Sequence, residues 1–298
     1  MLINFGSLNI DYVYQMEKIV SPGETLSSLK RSVFPGGKGL NQSVAAARAG
    51  AKVCHAGFVG KDDGAFLAEL MAESGVDLSL LKQVDAVNGH AVIQVDRFGE
   101  NCILLYGGTN QMPDREYVDQ IAQTVREGDT ILFQNETSMI SEMMISAKEA
   151  GAGIVLNPSP MDEKCLKLPL ELVDLFILNE HEGEALTGCK DPEKILDRMQ
   201  ILYPQSKIVL TLGSQGAVCS TGNQRIFQKA ICQGVIKDTT AAGDTFTGYY
   251  LAGMIEGLTD AEALKRAAVA SGICITREGA APSIPFKKEV EEQLVTLQ

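Results

Sequence analysis

The run DTTAAGDTFTGYYLAG, Asp238 to Gly253, sets three small residues and a carboxylate directly before a helical pattern. Ala241, Ala242 and Gly243 leave successive backbone N–H groups uncovered, and a helix starting there adds the positive end of its dipole. Together these bind an anion, a phosphate above all. Asp244 beside such a site makes chemical sense if it faces a hydroxyl rather than the phosphate. It would then take the proton as that hydroxyl attacks phosphorus in line. A plain helix cap is the simpler alternative. It accounts for Asp244 but not for the three small residues before it.

A second run, FPGGKGLNQSVAAARAG from Phe34 to Gly50, has the same character. Gly36 and Gly37 permit a tight turn and close approach of a ligand to the backbone. Lys38 adds a cation and Asn41 an amide at a helix start. Alanines at 45, 46, 47 and 49 let that helix pack closely. The run is neither GxxxxGK[ST] nor GxGxxG, so a plain glycine-rich turn before a helix is its alternative reading.

The elements that must carry these motifs alternate. Apolar runs at 2–6, 52–60, 130–134, 153–157, 175–179 and 207–213 predict strands. Helical patterns fill 39–50, 63–75, 141–151 and 192–202, then 241–257 and 260–275, and 286–297 reads as a surface helix. Continuous apolar strands separated by helices predict an α/β domain, with a mainly parallel central sheet flanked by helices. Such sheets bind ligands beyond the carboxyl ends of their strands. Segments of about 11–34 and 87–110 break the rhythm. Strand patterns there, around the turns SPGE and RFGE, predict a small β-sheet lid, with edge strands of the main sheet as the alternative. The expectation is one domain, 1–298, carrying that lid.

Composition narrows the partners. The chain has 298 residues, 45% of them apolar, and a formal charge of −12. An acidic chain without a basic cluster is a poor match for nucleic acid. No apolar run is long enough to span a membrane, and the N-terminus does not read as a signal peptide. Seven scattered cysteines without a CxxC pair predict a reducing compartment, the cytoplasm. HEGEA at 181–185 is not HExxH, LGSQG is not GxSxG, and His55 and the Met139, Met143, Met144 group read as core.

The two motifs, in this order and at this separation, resemble the signatures of the ribokinase-like, or PfkB, sugar kinase family. GSLNID, LNPSP, LNEHE, TLGSQG and REGAAPSIP resemble further family segments, so the likeness covers essentially the whole chain. It implies a ribokinase-like fold and an ATP-dependent kinase acting on a sugar hydroxymethyl. A pentose such as ribose is the expected acceptor, and a nucleoside, deoxyribose or hexose the alternative. A non-catalytic sugar sensor is the rival of another class, disfavoured by the intact Asp244. Carried across, the resemblance makes Asp244 the base and Ala241, Ala242 and Gly243 the anion hole. Asn9, Asp11, Gly37, Lys38, Asn41 and Glu136 then hold the sugar. Asn179, Thr211, Leu212, Gly213, Ser214, Gln215, Gly216 and Gly243 line the nucleotide site, with Glu182 near Mg²⁺ through phosphate or water. Asp238, Thr240, Cys274, Arg277, Gly279 and Ser283 match a K⁺ site. A homodimer formed through the lid is implied as well.

Overall fold

The computed structural model describes residues 1–222 and 224–297. The chain opens with β1 (Leu2–Phe5), β2 (Asn9–Gln15), β3 (Lys30–Gly36), α1 (Lys38–Arg48), β4 (Val53–Gly60), α2 (Ala65–Glu73) and β5 (Leu81–Val84). Next come β6 (Gly89–Val95), β7 (Asn101–Tyr106), α3 (Arg115–Ala122), β8 (Thr130–Gln134), α4 (Ile140–Glu149) and β9 (Gly153–Asn157). Then follow β10 (Leu175–Asn179), α5 (Glu180–Thr187), α6 (Pro192–Leu202), β11 (Lys207–Thr211), β12 (Gly216–Thr221) and β13 (Gln224–Lys229). The chain closes with α7 (Ala242–Glu256), α8 (Asp260–Cys274) and α9 (Lys287–Thr296).

Among the described residues, nine strands form the central sheet in the order β13-β12-β11-β10-β9-β8-β1-β4-β5. All neighbours from β5 to β11 pair in parallel, and β12 and β13 close one edge antiparallel. Alternate residues face opposite layers, as the pleat requires. Leu2, Leu132, Val155, Ile177 and Val209 pack with α1, α7 and α8. Ile3, Ile131, Phe133, Phe176 and Ile208 pack with α3, α4 and α6. Strand order reverses between β1 and β8. The loops leaving their carboxyl ends therefore diverge and open a crevice there.

The two segments that break the βα rhythm form a separate four-stranded sheet, β3-β2-β6-β7. It is mixed: β2 pairs with β6 in parallel, and both outer pairs are antiparallel. SPGE is a turn, with Glu24 N–H on the Ser21 carbonyl at 3.0 Å, but it lies inside a longer connection because β2 ends at Gln15. The strand expected over 207–213 stops at Thr211, where Gly213 turns the chain at φ 52°. β5, α3, α5, β12 and β13 are elements that periodicity did not reveal.

One contact ties the two motifs together. α1 and α7 cross where Gly248 faces the alanine run. A Cβ at Gly248 would come within 2.4 Å of Ala45 Cβ and 2.6 Å of Ala46 N. Gly248→Ala should therefore force the helices apart and destabilise the fold by about 1–3 kcal/mol. Urea unfolding measures it, and an unchanged midpoint would show that the crossing has slack.

Candidate active site

α7 starts without a side-chain cap. Its N-cap, Ala241, sits in the left-handed region at φ 60°. Ala242 N–H turns back to the Thr239 carbonyl at 3.2 Å, while the N–H groups of Ala241, Gly243 and Asp244 bond to no described residue. Asp244 does not spend its carboxylate on the helix. Its Oδ2 accepts from Asn41 Nδ2 at 2.9 Å and its Oδ1 from Gln42 Nε2 at 2.8 Å, both on α1. A cap would have turned inward, so the capping alternative fails on geometry. Asn41 Oδ1 is buried with no partner among the described residues.

The α1 N-terminus is built the opposite way. Gly37 takes φ 93°, and a Cβ there would meet Asn9 N at 2.8 Å. A Cβ at Gly36 would lie 2.1 Å from Asp11 Oδ2, so the first glycine makes room for that carboxylate. The first amides of α1 are all engaged. Lys38 N–H donates to Glu136 Oε2 at 3.0 Å, Gly39 N–H to Ser7 Oγ at 3.3 Å and Leu40 N–H to the Ser7 carbonyl at 2.9 Å. Ser7 Oγ also donates to Glu136 Oε2, which leaves Glu136 Oε1 unused. Asn9 Oδ1 accepts from Asn110 Nδ2 at 2.7 Å, and its own amino group bonds to no described residue.

These groups are electrostatically strained. Burial, then the charges of Glu136 and Asp244, push the Asp11 carboxyl up to about 7. Burial likewise raises Glu136, against the Ser7 hydroxyl and Lys38. For Lys38 burial works against the charge, yet Asp244, Glu136 and Glu182 together lift it above its ordinary value.

Two cavities meet this cluster. One of about 250 Å³ joins Lys38, Asp244, Ala241, Ala242 and Gly243 to Asn179, Glu182 and Thr211. Asn179 and Glu182 also form the capping box of α5, at 2.9 and 3.0 Å. Leu212, Gly213, Ser214, Gln215 and Gly216 continue from Thr211 but do not line this cavity. The other cavity, about 240 Å³, holds Asn9 and Glu136 with Asn110, Gln111, Asn135, Tyr106 and Lys164. The sequence reading missed Gln42, Asn157 and Asn110. The first two stand inside LNQS and LNPSP, where neighbouring residues carry the stronger signal; nothing local marks Asn110.

The six residues matched to a cation site cluster behind α7. Asp238 accepts from Thr240 N (2.9 Å) and Oγ1 (2.6 Å), and from Gly279 N (2.9 Å). Burial acts to raise its carboxyl, and these donors outweigh it, leaving it below the usual range. Cys274 Sγ lies 3.0 Å from Ser283 Oγ and 3.7 Å from the Thr240 carbonyl, while Arg277 N–H donates to the Cys274 carbonyl.

A carboxylate held toward a cleft, bare amides at the same helix tip and an adjoining lysine define a phosphotransferase with an alcohol acceptor. The family model for pfkB carbohydrate kinases matches residues 1–287. Ribokinase of Haemophilus influenzae is 34% identical over 97% of this chain and 96% of its own length. The crystal structure of Cryptococcus neoformans ribokinase with ADP superposes at TM-score 0.84 and 33% identity, covering 98% of this chain and 99% of its own. That of Arabidopsis thaliana ribokinase with ribose and ATP gives 0.85 and 29%, over 98% of each. This chain belongs to the pfkB family of carbohydrate kinases.

The raised Asp11 carboxyl has a kinetic consequence. The resemblance sets Asp11 against the sugar hydroxyls, where its ionised form would offer acceptors, and kcat/KM reports the free enzyme. kcat/KM for sugar should thus fall as pH drops below about 7, by up to about tenfold per unit. Asp11→Asn should be weaker throughout and lose that limb. A flat wild-type profile between about pH 5.5 and about 7.5 would contradict it.

Proposed function

We propose that the chain phosphorylates ribose to ribose 5-phosphate with ATP. The observation that carries this reading is the position of Asp244, turned off its own helix and onto the cavity it shares with Gly243 and Lys38. The sugar lies among Asp11, Asn41, Lys38, Glu136 and Asn9, with its hydroxymethyl at Asp244. Asp244 takes the proton as that oxygen attacks the γ-phosphorus. The transferring group's charge falls on the free amides of Ala241 and Gly243. Thr211 to Gly216 carry the nucleotide. The small sheet closes over the sugar and keeps water from competing as acceptor.

The donors facing the cavity, the Glu182 carboxylate and the Asn179 side chain, are hard oxygens that fit a hydrated Mg²⁺ bound mainly by phosphates. Such an ion would screen the phosphate charge. K⁺ also fits. The carbonyl oxygens of Asp238, Arg277 and Gly279 accept no hydrogen bond from described residues, and carbonyls suit that ion. We further infer a homodimer through the small sheet, supported by the exposed apolar edge Ile103, Leu104, Leu105 and Tyr106. A reducing compartment, the cytoplasm, accords with seven free cysteines. The cavity beside Asn9 and Glu136 is also lined by Leu105 and Tyr106 of the small sheet, which supports one alternative acceptor, a nucleoside.

An acceptor panel of pentoses, hexoses and nucleosides tests the reading, with ATP consumption and product position as readouts. Ribose should give the highest kcat/KM. Asp244→Ala should still bind ATP and ribose by calorimetry while kcat falls by about two to four orders of magnitude. Preference for a nucleoside would replace the acceptor, and near-normal turnover in Asp244→Ala would remove the base.

K⁺ should raise kcat over a matched large organic cation. Equal rates in both salts would count against a monovalent site.

A further inference from the structure

Gln42 follows Asn41 on α1 and, like it, bonds Asp244, but it also reaches partners that Asn41 does not. It is fully buried. Its Nε2 donates to Asp244 Oδ1 at 2.8 Å and to Asn157 Oδ1 at 2.9 Å, and its Oε1 accepts from Gln134 Nε2 at 2.8 Å.

An amide can be turned end for end, so something must fix which end faces the base. The Gly39 carbonyl, an obligate acceptor, takes Asn4 Nδ2 at 2.8 Å. Asn4 Oδ1 is thereby turned to Gln134 Nε2 at 2.9 Å. Gln134 must then offer N–H, not oxygen, to Gln42, and Gln42 must present its amino end to Asp244. A second anchor agrees. Asn157 Nδ2 donates to the Ile177 carbonyl at 2.8 Å, which leaves Asn157 Oδ1 to accept from Gln42. Two backbone carbonyls thus determine the orientation of every amide in the relay.

The relay is costly to keep. Asn4 and Gln42 are 0% exposed and Gln134 1%. Gln134 Oε1 has no partner among the described residues, a loss that a core of aliphatic side chains would avoid. The relay ends at the Asp244 carboxylate.

We propose that Gln42 is a positioning residue for Asp244, held in one orientation by the Gly39–Asn4–Gln134 relay. Together with Asn41 on Oδ2 it fixes both carboxylate oxygens, so the carboxylate cannot swing away from the attacking hydroxyl. The proposal rests on Asp244 being the base. It differs from the role of Asn41, whose free Oδ1 belongs to the sugar side.

The test is Gln42→Met, of similar length but without the N–H. With ribose as acceptor, kcat should fall about tenfold to about a hundredfold, as for a misplaced reacting group, while both KM values stay within about twofold. In an Asp244→Ala background the same substitution should cost the residual rate nothing, because the group it positions is gone. Gln134→Met, which reaches the base only through Gln42, should lower kcat less and leave KM alone; it decides the matter should Gln42→Met fail to give a cooperative thermal transition. A kcat within about twofold of wild type in the folded variants, or an equal loss with and without Asp244, would make Gln42 a packing residue and overturn the proposal. Near-normal turnover in Asp244→Ala alone would instead overturn the base reading, whatever Gln42→Met does.

Discussion

The site depends on two helix tips brought together by one tight crossing. α1 and α7 can approach only because Gly248 lacks a Cβ where Ala45 and Ala46 pass. That approach lets Asn41 and Gln42 reach Asp244 across the interface. The two tips then divide the work. At α1 a carboxylate and a serine neutralise the dipole end, so no anion is invited there. At α7 the amides of Ala241 and Gly243 are left bare, and the dipole is available to a phosphate.

The same convergence sets up the electrostatics. Glu136, Asp244 and Glu182 act on Lys38, and Glu136 and Asp244 also act on Asp11, in a partly dehydrated cleft, and the substrates bring more negative charge. The protein answers by letting protons stay on. Asp11 rises from 3.8 to about 7 in the folded state. The folded chain therefore holds a proton across that window which the unfolded chain has released. The resulting stability is complete below about 3.8 and is lost as pH rises through about 7. At neutral pH the site is a destabilised feature of the fold, and the core beneath it must compensate.

The sequence made the frame and both motifs legible for a physical reason. Strands buried on both faces write continuous apolar runs, and a bare helix tip has to be written in Gly and Ala. His55 was also read correctly as a core residue: burial holds its imidazole at about 4, and it sits between Ser43 Oγ and the Gly6 carbonyl. What stayed hidden has no periodic signature. α5 is short and polar and follows β10 without a break. β13 is the edge strand, where most residues meet water, and the buried β12 beside it is short and built largely of small residues, so neither writes a long apolar run. The Asn9–Asn110 and Gln42–Gln134 bonds join residues 101 and 92 positions apart. No local pattern can encode such pairs.

The relay behind Asp244 also shows why neutral groups suit this task. A lysine or arginine in place of Gln42 would hold the carboxylate just as firmly, but it would stabilise the ionised form and weaken the base. A carboxylate there would trap a proton between the two acids. A primary amide fixes position through directed N–H bonds and adds no net charge. Its own orientation must then be specified, and only groups with a single hydrogen-bonding sense, such as the carbonyls of Gly39 and Ile177, can specify it. On that logic, the orientation of the Asp244 carboxylate is set by backbone carbonyls through a line of buried amides.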